Sequence, residues 1–400
     1  MITILADDLT GAAEVAGVCL RYGLKTAFGV NKLPEAVQLS GSFKKDGSRF
    51  PVYDACVIAT DSRSMSEEEA IALHRQLALA VKEAGMTTVF KKTDSVLRGH
   101  VLAEVKVLMD VFSCRKVLLQ PSNPSIERCI KQGEYLIAER PLHESSFADD
   151  PDYPAKTSSV SGLLDSRCQA SEKPPIITNG IKRNSPGIHI PDCLTIQDLK
   201  TGLCHQYQPV LFAGSAAFLA AWLEECEDLW VQQVAFKLDP MSGRYLLVCG
   251  SKHTQSQAFI ENARRQGTAV AEFPDDFMKT IINQEALDNW ADSLAEFWHR
   301  TGQMVLSLSR KPVRFENSSE ILAARMSSVV HRILGQCRIQ EILLVGGTTA
   351  WAILQDQGWN ALTPVEELAP GVVRMHLENK PGTYLTFKPG SYLWPEDLDS

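Results

Sequence analysis

One repeated unit constrains this chain most: a short apolar run that stops at a polar or glycine-containing turn, followed by residues with helical periodicity. Its first copy is Ile2–Ala6, then Asp7-Asp8-Leu9-Thr10-Gly11, then apolar side chains at helical spacing over residues 12–22. Similar units begin at residues 55–60, before a helix predicted over 66–84, and at 88–91, before Asp94 and a helix over 99–111. Residues 117–120, 187–190 and 210–213 add strands, the last leading into a helix that ends near Glu225. Strands that alternate with helices imply a parallel sheet covered on both faces.

The pattern lapses between Glu224 and Gly243, where charges, Pro240 and Gly243 replace the apolar period, and then restarts. Tyr245–Cys249 reads as a strand before a helix over 254–266, and residues 304–308 and 342–345 as two more strands, with a helix from Thr349. Residues 369–393 look like short antiparallel strands between Pro/Gly turns. With 400 residues, two cores can be buried. The expected fold is α/β: two domains, 1–235 and 236–400, each a mainly parallel sheet flanked by helices, with short antiparallel strands near the C-terminus. No repeat of solenoid period is visible.

Composition removes several function classes. A net charge of −8 with no long Lys/Arg run argues against nucleic acid or an anionic membrane as partner. Residues 210–223, the longest apolar stretch, are too few to span a bilayer. The N-terminus runs from Ala6 straight into Asp7 and Asp8 without a basic segment and apolar core, so a cytoplasmic protein is expected. The ten cysteines and nine histidines are scattered, with no C-x-x-C or H-E-x-x-H, which disfavours a disulfide framework or a zinc hydrolase.

In open α/β sheets ligands bind beyond the carboxyl ends of strands. In the first half those positions hold Asp7 and Asp8, then Thr60-Asp61-Ser62-Arg63, then Lys92-Thr93-Asp94-Ser95-Val96-Leu97-Arg98-Gly99. Carboxylates, hydroxyls and the cations Arg63, Lys92 and Arg98 on one edge suit a small polyhydroxylated anion, since Arg grips carboxylates and Asp accepts from hydroxyls. The competing reading makes Asp7 or Asp8 a helix cap and Asp94, Lys92 and Arg98 a surface ion-pair cluster. In the second half, Gly250-Ser251, Gly346-Gly347-Thr348-Thr349 and Pro389-Gly390-Ser391 would let backbone approach phosphates. Neither a P-loop nor the protein-kinase motif set is present.

Asp7-Asp8-Leu9-Thr10-Gly11-Ala12, Lys92 through Gly99, Gly250-Ser251, Gly346-Gly347-Thr348-Thr349-Ala350 and Lys388-Pro389-Gly390-Ser391 occur in the order and spacing of the four-carbon acid sugar kinase family, which the chain resembles over nearly its whole length. The family phosphorylates threonate, erythronate or 3-oxo-tetronate. The resemblance implies a sugar-acid-binding N-terminal domain, an ATP-binding C-terminal domain and phosphoryl transfer in a cleft between them. Asp8, Arg63, Lys92, Asp94, Ser95, Arg98 and Gly99 match its substrate-side motifs, and Ser251, Gly346, Gly347, Thr349 and Gly390 its nucleotide side.

Two departures stand out. Thr348 replaces the acidic residue usual between the Gly-Gly and the Thr of the nucleotide loop. Gln120-Pro121-Ser122-Asn123-Pro124-Ser125-Ile126-Glu127-Arg128 replaces the usual Pro-Ala-x-Pro and Gly-Arg. On this reading Asp8 or Asp94 accepts the proton of the attacking hydroxyl, Asp7, Arg63, Ser95 and Gly99 help to bind substrate, and Arg98 and Lys92 hold its carboxylate or stabilise the transferred charge. ATP is expected with Mg2+ because the metal bridges phosphate oxygens; its protein ligands are left open, as is assembly into a homo-oligomer. Two alternatives stay open: a nucleotide- and sugar-acid-binding regulatory protein with weak turnover, and a dinucleotide-dependent sugar-acid dehydrogenase, the latter disfavoured because no G-x-G-x-x-G follows a strand.

Overall fold

The computed structural model describes every residue except 40–51, 151, 170–174, 179–180, 182–184, 202, 204–209, 227–242, 312, 314 and 396–400. The chain divides into two compact units, Met1–Val234 and Ala235–Ser400. Of the boundary region expected between Glu224 and Gly243, residues 227–242 lie outside the described residues.

The first unit contains strands β1 (Ile2–Ala6), β2 (Thr26–Val30), β3 (Ala55–Ala59), β4 (Thr88–Lys92), β5 (Lys116–Gln120), β6 (Arg128–Lys131), β7 (Glu134–Ile137), β8 (Arg140–Pro141), β9 (Ile176–Ile177), β10 (Gly187–His189) and β11 (Val210–Gly214). Its helices are α1 (Leu9–Arg21), α2 (Glu35–Gln38), α3 (Glu67–Glu83), α4 (Val101–Phe112), α5 (Val160–Ser166), α6 (Ile196–Thr201) and α7 (Ala216–Glu225). Eight of these strands form a parallel sheet in the order β2-β3-β1-β4-β11-β5-β10-β9. Strands β1, β3 and β5 are buried along their whole length, as a sheet covered on both faces requires.

Local sequence explains the helices. Ser66 and Glu69 close a reciprocal capping box that starts α3 where the sequence changes from turn to apolar period. Helix α4 buries Val101, Leu102, Val105 and Leu108, a stripe at helical spacing, in the core shared with Leu5, Ile58, Leu119 and Ala213.

The sequence reading misses β2 and a three-stranded antiparallel sheet, β6-β7-β8. That sheet interrupts the alternation between β5 and β10 and sends Ile130 and Tyr135, with Leu142 from the turn just after it, into the same core. The strands of that sheet, at four residues or fewer, carry too little alternation to be told from a loop.

The second unit contains β12 (Tyr245–Cys249), β13 (Val270–Glu272), β14 (Gln303–Ser307), β15 (Glu341–Val345), β16 (Ala361–Ala369), β17 (Val372–Leu377) and β18 (Tyr384–Lys388), with helices α8 (Thr254–Arg265), α9 (Gln284–Thr301), α10 (Ser318–Gln336) and α11 (Gly347–Asp356). The order is β13-β14-β12-β15-β18-β17-β16. It is parallel as far as β18 and antiparallel beyond. The antiparallel ladder begins at Ala361 rather than near Ala369, and β18 lies parallel to β15, so the C-terminal strands extend the main sheet. Among the described residues no helix is long and apolar enough to cross a membrane.

Candidate functional site

Strand order decides which loops meet. In the first unit β1 lies between β3 and β4, with Ala6 level with Ala59 on one side and Lys92 on the other. The chain turns to opposite sides of β1 after α1 and after α3, so the sheet's topological switch point falls here. Asp7, Thr60 and Thr93 therefore leave the sheet side by side.

Arg63 is the hub. Its Nε and Nη2 donate to Asp7 Oδ2 at 3.1 and 2.8 Å, Nη2 also donates to Asp8 Oδ1 at 3.1 Å, and it stands 3.7 Å from Asp94 Oδ1. Asp8 is the N-cap of α1, accepting from Gly11 N at 3.1 Å and from Thr10 Oγ1 at 2.5 Å. A Cβ on Gly11 would stand 2.5 Å from Asp8 Oδ1 and 3.1 Å from Lys92 Nζ, so glycine here lets the Asp8 cap close on the first turn of α1. Lys92 Nζ donates to Thr93 O at 3.0 Å and lies 3.6 Å from Glu14.

Asp94 is a clamp. Its carboxylate accepts from Val96 N, Arg98 N, Arg98 Nε and Arg98 Nη2 at 2.9–3.2 Å. Those bonds wrap the chain into a tight turn with Leu97 at φ 62°, a left-handed conformation that costs about 1 kcal/mol for a side chain of this kind. Arg167 secures the strained turn by donating to Val96 O and Leu97 O. Gly99 follows at φ 83°, where a Cβ would press on Arg63 Cγ at 3.2 Å.

The three carboxyls differ. Burial dominates at Asp7 and raises its carboxyl above the ordinary value in spite of Arg63. At Asp8 burial is outweighed by Arg63, Lys92 and the Thr10 hydroxyl, which hold the group low. At Asp94 the same opposition is won by Arg98 and Arg63, which hold it well below the carboxylate range. Asp7 is buried with Oδ1 unpartnered, whereas the Asp8 side chain keeps 16% of its surface open. Asp8 caps a helix and the expected ion-pair cluster exists, but most of it is buried rather than at the surface.

Several participants were not singled out from sequence. Asp150 Oδ2 accepts from Arg98 Nη1 at 3.1 Å. Arg128 Nη1 donates to Ser95 Oγ, and the guanidinium carbons of Arg98 and Arg128 each lie 5.5 Å from the Phe147 ring centre. Tyr153 Oη donates to Arg63 O at 2.6 Å. All four belong to the β6-β7-β8 excursion or the chain just after it. Below the loops, Glu104 accepts from Ser62 Oγ at 2.6 Å and pairs with Lys91 Nζ at 2.8 Å. The nearby His74 is pushed down to about 4, chiefly by burial, and so is neutral at pH 7.

The second unit builds a different kind of site. Cys249, Val345 and Lys388 are level across β12, β15 and β18, so Gly250, Gly346 and Pro389 leave the sheet together. A Cβ at Gly250 would overlap the Thr349 hydroxyl, and one at Gly390 would overlap Ser251 Oγ. Gly346, at φ 100°, passes within 3.6 Å of Ser251 N, measured from where its Cβ would be. Ser256 Oγ donates to Gly390 O at 2.7 Å and Gln257 Nε2 to Ser251 O at 3.1 Å, tying α8 to the same turns.

Helix α11 starts at Gly347 with Gly346 as its N-cap, two residues earlier than the sequence suggests, and no side chain caps its first turn. Gly347 and Thr348 therefore occupy that turn, Thr348 exposed and Thr349 buried. Free N–H groups at a helix start beside three close-packed glycine turns fit phosphate oxygens. Among the described residues no group of three or more His, Cys, Asp or Glu is placed to hold a metal ion.

Comparison with known proteins agrees with this division. A sugar-binding N-terminal domain model matches residues 2–222, and a nucleotide-binding C-terminal domain model matches residues 246–392. The chain belongs to the four-carbon acid sugar kinase family. It is similar to a D-threonate kinase of Salmonella typhimurium, 24% identical with 92% of this chain and 89% of the relative covered. A 3-oxo-tetronate kinase of Methylobacterium radiotolerans is 22% identical, with 97% and 95% covered. In fold it resembles a Salmonella typhimurium protein provisionally named a tRNA synthase, with a TM-score of 0.77, 19% identity and coverage of 99% and 97%. At that identity the likeness concerns the fold alone.

Proposed function

We propose that the chain transfers the γ-phosphoryl group of ATP to a hydroxyl of a four-carbon sugar acid, with the acid held by the first unit and the nucleotide by the second. The observation that carries this reading is the cluster of Asp8, Arg63, Lys92, Asp94 and Arg98 on neighbouring strand ends, in a chain whose relatives include kinases named for D-threonate and 3-oxo-tetronate.

Asp8 is the better of the two proton acceptors. Asp94 accepts four hydrogen bonds from backbone and guanidinium donors against three at Asp8, and its side chain is 9% open against 16%, so its work is to shape the turn and orient Arg98. Asp8 keeps open surface, and its low carboxyl range leaves it ionised at neutral pH. A weak base suffices, because the loose transition state of phosphoryl transfer demands little proton removal before the leaving group departs. Arg63 orients Asp8 while Asp7, its buried partner, fixes Arg63.

On the nucleotide side, backbone N–H groups of Gly347 and Thr348 would meet phosphate oxygens, with Gly346, whose own N–H donates to Lys388 O at 3.1 Å, and Ser251, Thr349 and Gly390 shaping the cradle. Mg2+ would arrive on the phosphates, where it bridges oxygens, keeps most of its waters and needs only one or two protein carboxylates. Steady-state ADP release with D-threonate, D-erythronate and 3-oxo-tetronate, against a neutral tetritol, tests the reading. ADP release that depends on an acid supports it. Equal release with the tetritol, or release independent of any acceptor, contradicts it.

A further inference from the structure

The acid-binding cation is the open question in the proposed function, and charge accounting across the first unit answers it. Arg63, Lys92 and Arg98 are the cations that the strand-end loops supply. Each faces carboxylates of its own chain: Arg63 faces Asp7, Asp8 and Asp94, Lys92 faces Glu14, and Arg98 faces Asp94 and Asp150. Arg98 is the most fully committed, since Nε and Nη2 lie on Asp94 and Nη1 on Asp150. Three of its five N–H donors are used in this way, so a substrate carboxylate reaching the remaining N–H groups of Nη1 and Nη2 would meet a guanidinium already neutralised by two carboxylates. A small acid entering this group would have to compete with the carboxylates that already hold these cations.

Arg128 is placed differently. Its side chain donates to Ser95 Oγ, on the same loop as Asp94 and Arg98, and its guanidinium lies against the Phe147 ring that also carries Arg98. Among the described residues no carboxylate stands within ion-pair distance of it. It leads β6, directly after a turn in which Glu127 sits at φ 55°, and its main chain is pinned to Asn123 by bonds of 3.1 and 2.8 Å. The side chain is half-buried, with one hydrogen bond and one aromatic face to hold its plane. A guanidinium fixed in this way offers its remaining N–H groups in a planar fork matched to a carboxylate.

We propose that Arg128 binds the carboxylate of the sugar acid and so determines the preference for acids over neutral sugars. The assignment rests on the function proposed above for this site. Ser95 and Phe147 act as positioning residues for Arg128, and Arg98 completes the wall as a neutralised clamp.

Calorimetric titration of the full-length protein with D-threonate and D-erythronate, without nucleotide, reads this contact apart from turnover. Arg128→Gln is expected to weaken binding of the acid that wild type binds best by roughly 10- to 100-fold, the range of a charge-assisted bidentate contact, with the unfolding temperature and the ATP affinity unchanged. Arg128→Lys keeps the charge without the fork and should recover part of the loss. In turnover assays the loss should appear in KM for the acid rather than in kcat, and the ratio of acid to neutral-tetritol turnover should collapse. Arg128→Gln that binds the acid as tightly as wild type overturns the assignment, as does a wild-type protein that binds neither acid. Wild type that binds an acid through Arg128 but forms no phosphate ester would contradict the kinase reading and leave the contact standing.

Discussion

At the ends of β1, β3 and β4, Arg63, Lys92 and Arg98 crowd against Asp7, Asp8, Asp94, Asp150 and Glu14. At the ends of β12, β15 and β18 the corresponding places are taken by Gly250, Gly346 and Gly390, with the Ser251 and Thr349 hydroxyls between them. The first arrangement is organised by ion pairs taken partly out of water, where each charge is costly unless its partner stays in place. The second is organised by close backbone approach, where the sensitive variable is the presence of a Cβ. On the proposed function, one parallel-sheet plan would serve two recognition problems: a small hydroxylated acid read by side chains, and a polyphosphate by main-chain donors.

The contrast predicts two kinds of failure. The largest effect is expected for Asp8→Asn, which keeps the shape and removes the base: kcat should fall by about 10²- to 10⁴-fold while calorimetric affinity for ATP is unchanged. A kcat within threefold of wild type would move the proton acceptor elsewhere. Next is Gly346→Ala, which places a Cβ on a residue at φ 100° beside Ser251. ATP affinity should drop by at least about tenfold, equivalent to ~1.4 kcal/mol, with acid binding retained. Parallel loss of acid affinity in that variant would erase the distinction between the two sites.

Much of this contrast is legible in the sequence because it is local. Asp7-Asp8, the Lys92 to Gly99 segment and the three glycine turns each follow an apolar run directly, and strand-end residues in a parallel sheet converge whatever the intervening chain does. Partners from afar are not legible. Asp150 and Arg128 reach the site only because β6, β7 and β8 fold back on the core, and those strands are too short to announce themselves. Three cations and the carboxylates Asp7, Asp8 and Asp94 are expected on one edge from the sequence; Asp150 and Glu14, which pair with Arg98 and Lys92, are the partners that local spacing omits.

Stability should register the same difference. Asp94→Asn removes the carboxylate that Arg98 grips with Nε and Nη2, leaving it only Asp150, and is expected to cost about 1–3 kcal/mol. Because the folded Asp94 carboxyl lies well below its unfolded value of ~3.9, its contribution is full above that value and is lost as pH falls through the folded one. Wild type should therefore lose stability more steeply than Asp94→Asn below pH ~4, as read from thermal unfolding across an acid series; parallel curves would remove Asp94 from the account. The smallest effect is expected at Thr348, exposed on the first turn of α11. Thr348→Asp should tighten apparent MgATP affinity by a few-fold at most through the added metal-facing charge. Weaker MgATP binding, with folding intact, would mean that the neutral hydroxyl is a fitted part of the phosphate cradle.

The central claim is that these two unlike sites serve one transfer. Phosphorus NMR of wild-type protein with ATP, Mg2+ and a four-carbon sugar acid tests it most directly, because the product identifies the acceptor. The account predicts a phosphomonoester resonance that grows in step with ADP and is absent in Asp8→Asn. Release of inorganic phosphate with no ester, or no consumption of ATP with any of the three acids, would contradict it.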